Sequence, residues 1–84
     1  MSNMMNWEKE AKQLLKAELA RSGVRYTDLV SKLEAIGVKD TEGAIANKIA
    51  RGKFSFVFFL QCMRAIGVTA VSVADRTPNK TVTE

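Results

Sequence analysis

The chain contains no histidine and a single cysteine, Cys62. One cysteine cannot close an intrachain disulfide, and without imidazole there is no Cys/His set to cage a zinc ion. The missing histidine also removes the commonest partner of a catalytic nucleophile. No phosphate-cradling glycine loop and no metal cluster stand out, so neither enzymatic activity nor a cofactor is expected. Lone, unpaired cysteine usage fits a reducing compartment, and a cytoplasmic location is expected. Long hydrophobic runs are missing too. The apolar run from Phe54 to Leu60 falls far short of the roughly 20 residues that span a bilayer, and Gln61 and Arg64 follow it. The opening stretch MSNMMNWEKE has no apolar core of signal-peptide length, so no membrane association is expected. The one proline, Pro78, lies near the end and interrupts nothing before it.

What remains is 84 residues, 46% of them hydrophobic, enough for one small globular domain with a modest core. The formal net charge of +4 and a sequence pI of about 9.5 are compatible with a polyanionic partner without requiring one. The glycines give the chain its punctuation. Gly23, Gly37, Gly52 and Gly67 recur every 14 or 15 residues, and each closes a segment with apolar residues at helical spacing. Glycine just past a helix end suits the left-handed cap, which predicts four helices.

The first predicted helix runs from about Trp7 to Ser22, with Asn6 as cap and Trp7, Ala11, Leu14, Leu15 and Leu19 as its apolar stripe. Lys9, Lys12, Lys16 and Arg21 fall mostly outside that stripe, as a solvated face would. Glu8, Glu10, Glu18 and Glu34 read as surface ion-pair partners. The second helix runs from about Tyr26 to Ile36, starting at Arg25 or at Thr27, with Leu29, Val30, Leu33 and Ile36 inward. The third runs from about Glu42 to Arg51, capped by Asp40 or Thr41, with Ile45 and Ile49 inward and Gly43, Ala44, Asn47 and Arg51 outward. The fourth runs from about Phe56 to Ile66. Ser55 is its cap, and Phe54 and Phe59 occupy the hydrophobic-staple positions around that cap.

A scaffold helix followed by a helix whose outer face is small and basic outlines a helix-turn-helix. Small side chains at Gly43 and Ala44 allow close approach to bases. Asn47 can bond adenine in bidentate fashion, and Arg51 can reach guanine or phosphate. Lys39, Lys48 and Lys53 flank the helix and suit phosphates.

Over about residues 15–68 the chain resembles the lambda-repressor-like class of helix-turn-helix domains. LARSGVRYTDLV is similar to that family's first glycine turn, IANKIARGK to the end of its recognition helix, and SFVFFLQCMRAIGV to the helix that follows. The resemblance implies a compact all-α domain that binds operator DNA, commonly as a two-fold dimer. Tyr26 stands where the family usually has a phosphate-contacting glutamine, and Ala50 where many members carry a glutamate. The stretch from Leu29 to Gly52 runs several residues longer than the family norm.

Together these readings predict an all-α compact bundle of four main helices with a helix-turn-helix core over residues 1–68. Residues 69–84 form an extension, with VTAVSVA as a short strand or irregular segment and DRTPNKTVTE as a polar tail. The expected function is sequence-specific DNA binding by a small transcriptional regulator. The expected DNA-facing residues are Tyr26, Thr27, Lys39, Thr41, Gly43, Ala44, Asn47, Lys48, Arg51 and Lys53. The alternative is a protein-interaction module, antitoxin-like or inhibitory, on the same scaffold. On a helical wheel Phe56, Phe59, Leu60, Met63 and Ile66 make the core arc of the fourth helix. Val57 and Phe58 are left off that arc, which marks them either as covered by neighbouring segments or as a homodimer contact. Cys62 is expected as a small buried hydrophobe. Tyr26, if it does not reach phosphate, is a partly buried ring packed on the first helix.

Overall fold

Four α-helices and no strand make up residues 6–73, the part of the chain that the structure, a computed structural model, describes. They are α1 (Trp7–Arg21), α2 (Tyr26–Ala35), α3 (Glu42–Arg51) and α4 (Phe56–Ile66). The all-α bundle expected from the glycine spacing is what forms, with α1 and α2 each ending one residue earlier than predicted.

Local chemistry explains the boundaries. The Asn6 side chain accepts the Lys9 backbone N–H, Thr41 Oγ1 accepts that of Ala44, and Ser55 Oγ accepts that of Phe58, each at 3.0 Å. Each cap satisfies a donor that the first helical turn would otherwise leave open. Arg25 begins α2 although arginine has no acceptor to offer. The Asp28 carboxylate supplies one instead, taking the Arg25 backbone N–H at 3.0 Å and its Nε at 3.3 Å. These two bonds, the backbone one foremost, hold the Asp28 carboxyl below its ordinary pKa of 3.8. All four punctuating glycines take positive φ, between 69° and 86°. Gly52 carries a second constraint. A Cβ there would lie 2.2 Å from the backbone carbonyl oxygen of Glu8, so α1 rests directly on the end of α3.

The helices pack crosswise in two pairs: α1 and α2 each lie against both α3 and α4. Leu15 and Leu19, Leu29 and Leu33, Ile45 and Ile49, and Phe58, Cys62 and Met63 meet in one core. Each fully buried aliphatic or aromatic side chain contributes about 1.5–3 kcal/mol before the cost of ordering it. Residues 68–73 continue without regular structure, and Val68 and Val71 pack against the core. The strand alternative for VTAVSVA does not form over these residues. Ala74 and the segment DRTPNKTVTE lie outside the described residues.

Ile36, read as inward, is 43% exposed just past the end of α2. Three further side chains sit elsewhere than the pattern predicts. Trp7, assigned to the α1 stripe, is 71% exposed at the helix start. Glu18, assigned to a solvated surface, is only 4% exposed and pairs with Arg21 at 3.0 Å. It stands four residues after Leu14 and seven after Ala11, on the apolar face, and its neighbour Arg21 reaches in from the rim. The third is Phe58. It is 5% exposed and belongs to the core, whereas Phe56 is 73% exposed and Leu60 47%. The buried side of α4 is therefore turned by roughly 90° from the expected arc, about one residue of helix. Cys62 and Ala65, both small, lie on the turned face, Cys62 in the core and Ala65 packed against it. Phe58 fills the space beside Phe54, with ring centroids 5.9 Å apart. Phe58 is thus unavailable for the subunit contact expected of it, and Cys62 is fully buried, as expected.

Candidate nucleic-acid interface

The outward face of α3 follows from its inward one. Ile45 and Ile49, four residues apart, dock the helix, and the opposite arc presents Gly43, Asn47, Ala50 and Arg51 to solvent. Ala44 is half-buried at its margin. The only acid on the helix is Glu42, at its first position, where it complements the helix dipole. Asn47 and Arg51 lie one turn apart on one ridge, and Arg51 takes part in no ion pair of 4.0 Å or less among the described residues.

The flanking lysines are less free. Lys48 Nζ lies 2.6 Å from Asp40 Oδ2 and 4.9 Å from the centroid of the Phe58 ring. The Lys48 ammonium, and after it the Thr41 N–H, hold the Asp40 carboxyl below its ordinary value of 3.8. Lys48 therefore ties the start of α3 to the core of α4. Lys39 approaches Glu34 at 4.0 Å, and Lys53 approaches Glu8 at 3.7 Å. Such exposed pairs cost little to open. Thr41 uses its oxygen as the α3 cap and keeps its hydroxyl proton to donate. Thr27 is exposed on the first turn of α2. Tyr26 is half-buried against the core, as the alternative reading of it had it, and lines a groove with Lys16, Leu19 and Ala20 of α1 and Val24 and Arg25.

Sequence reasoning did not single out the place where α1 meets the end of α3. Asn6, Glu8, Lys9 and Lys12 face Ala50 and Arg51 across a polar groove there. The signal in the sequence was the spacing of Lys9, Lys12 and Lys16, which a wheel puts on one face.

A second surface has the opposite character. Phe56, Val57 (61% exposed) and Leu60 form an apolar strip along α4. Beside it runs an apolar groove lined by Ala11, Leu14, Phe54, Phe59 and Val73, and on its other flank lie Ile36 and Val38. Among the described residues there is no helix long and apolar enough to cross a membrane and no cluster of metal-ligating side chains. The Cys62 thiol is pushed up to about 12 by burial, against the opposing pull of the Lys48 ammonium, so it is held neutral and unreactive.

Residues 7–71 match the family described as a domain of unknown function, DUF6471, and the chain belongs to that family. The match takes in all four helices and ends at Val71, which packs on the core. No curated protein and no solved structure matches the chain.

Proposed function

We propose that this member of the DUF6471 family is a DNA-binding protein, a small transcriptional regulator that presents α3 to the major groove. One observation carries the reading: a short helix docked by Ile45 and Ile49 leaves an exposed ridge of Gly43, Asn47, Ala50 and Arg51 with no acid on it. Small residues let the helix axis approach the base edges. Asn47 offers the donor and acceptor that match adenine, and Arg51 offers the fork that matches guanine or a phosphate. Thr41, Thr27 and Tyr26 supply hydroxyl donors at two helix starts, where backbone phosphates are commonly held. Lys39, Lys48 and Lys53 contribute positive charge, though each must loosen an existing pair to touch a phosphate. The resemblance to lambda-repressor-like domains belongs to the same proposal.

Selection of bound sequences from random duplexes, followed by gel-shift titration, tests it. Asn47→Ala is expected to lower discrimination at one base position by about 1–3 kcal/mol, and Arg51→Ala to weaken binding further. Millimolar affinity for every duplex at low salt, with the double variant behaving as the wild type, would overturn the proposal.

The exposed strip on α4 favours a second reading that is compatible with the first. A two-fold contact between copies through Phe56, Val57 and Leu60 would hide these apolar side chains and set two α3 helices for a palindromic site. The same strip on a protein-interaction module would instead receive a different chain, as an antitoxin or inhibitor does.

A further inference from the structure

Among the described residues, six cationic side chains take part in no ion pair of 4.0 Å or less: Lys9, Lys12, Lys16, Lys32, Arg51 and Arg64. Four of the six gather on one side of the molecule. Lys9, Lys12 and Lys16 stand at i, i+3 and i+7 on α1, within about 60° of one another around the axis and about 10 Å along it. Arg51 of α3 faces Lys9 and Lys12 across the groove that Asn6, Glu8 and Ala50 complete. At the other end Lys16 borders the groove of Tyr26 and Arg25. Glu8 is the one carboxylate among the residues that line these two grooves, and Lys53 at 3.7 Å already offsets its charge; at the far end Asp28 is taken up by Arg25 at 3.3 Å.

We propose that this ridge is a track for the phosphate backbone of duplex DNA, with Lys9, Lys12 and Lys16 following one strand outward from the α3 contact. The proposal rests on the reading of α3 as the groove-facing helix and adds a helix to it. Three features favour a phosphate strand over an ordinary solvated face. The charges are linear, at a spacing a polyanion can meet together. They are unpaired, whereas five other cations of the molecule are each within 4.0 Å of an acid. And they run without a break into Arg51, on the ridge proposed to enter the groove. Ammonium groups are suited to this role, since a backbone contact needs a point charge and carries no sequence information. Each lysine that neutralises a phosphate releases condensed counterions, so its presence registers in the salt dependence of binding.

The test is a set of salt titrations of the full chain, followed by fluorescence anisotropy, on a selected duplex and on a scrambled one. Lys9→Gln, Lys12→Gln and Lys16→Gln keep most of each stem and remove the charge. Each is expected to reduce the slope of log K against log salt by about 1, equally for both duplexes, and the triple variant by about 3. Lys32→Gln, an unpaired lysine away from the ridge, serves as the control and keeps the wild-type slope. Circular dichroism and the urea midpoint are expected to stay at wild-type values, which separates lost charge from lost fold. If the wild type binds and the triple variant keeps its slope, the ridge proposal is wrong and the α3 reading stands. If the wild type binds no duplex at low salt, both fall together.

Discussion

α3 and α4 are built alike and face the world differently. They are 10 and 11 residues long, start from a Thr or Ser whose side chain holds a backbone N–H, and close on a glycine with positive φ. Yet α3 turns Gly43, Asn47 and Arg51 outward, and α4 turns out Phe56, Val57 and Leu60. The shared capping chemistry sets where each helix starts and stops. What each can recognise is decided by the arc left over after packing, which is polar and small in one case and apolar in the other. The two are joined through Lys48, whose ammonium sits on Asp40 in front of α3 and over the Phe58 ring in α4.

The largest expected effect tests the orientation of α4. Phe58→Ala removes a core ring and is expected to destabilise the fold by about 3–5 kcal/mol in urea unfolding. Phe56→Glu, two residues earlier on the exposed strip, is expected to leave stability within about 0.5 kcal/mol. Its effect is expected in sedimentation instead, where it shifts a wild-type dimer to monomer. Equal stability losses from the two changes would mean that α4 is oriented otherwise. A folded wild-type monomer at high micromolar concentration would remove the two-fold contact through the strip.

The next contrast concerns the two closing glycines. Gly52→Ala meets both an unfavourable left-handed conformation and the Glu8 carbonyl oxygen, so a loss of about 3 kcal/mol is expected. Gly67→Ala has the same kind of φ and nothing within 4 Å of the added carbon, so only the conformational cost of about 1–2 kcal/mol is expected. Matching losses in chemical denaturation would show that α1 does not rest on the end of α3.

An effect confined to alkaline pH comes from the buried face of α4. In the unfolded chain Cys62 ionises near 9.0, and in the folded chain only near 12. The stability that belongs to the neutral buried thiol is fully present below pH 9.0 and is lost as the pH rises from there toward 12. Cys62→Ala starts from lower stability and is expected to show a shallower alkaline decline. Parallel declines for the two proteins would argue against a desolvated thiol beside Lys48.

Much of the architecture was legible in the chain. Four glycines and the caps Asn6, Thr41 and Ser55 located the helices to within a residue, because capping is a contact between neighbours in sequence. The outward face of α3 was legible too, since with only Ile45 and Ile49 to bury it can dock one way. The inward face of α4 was not. Phe56 through Leu60 is apolar on every side, so periodicity offers no preferred face, and the expected arc was about one residue out. Glu18 was misassigned because its charge type was weighed above its position between Ala11, Leu14 and Leu15. The meeting of Lys9 and Lys12 with Arg51 could not be read at all, because Lys12 and Arg51 lie 39 positions apart in the chain.

By itself, then, the sequence determined the number and approximate extent of the helices and the exclusion of a Cys/His zinc cage and an intrachain disulfide, since these depend on residue type and on partners three or four positions away. Only the tertiary structure decided that Phe58 rather than Phe56 is buried, that Lys48 is held by Asp40, and that α1 brings its lysines beside Arg51. Those outcomes depend on how α1 and α2 lie against α3 and α4, as at Gly52, where the missing side chain lets the backbone of α1 rest on the end of α3.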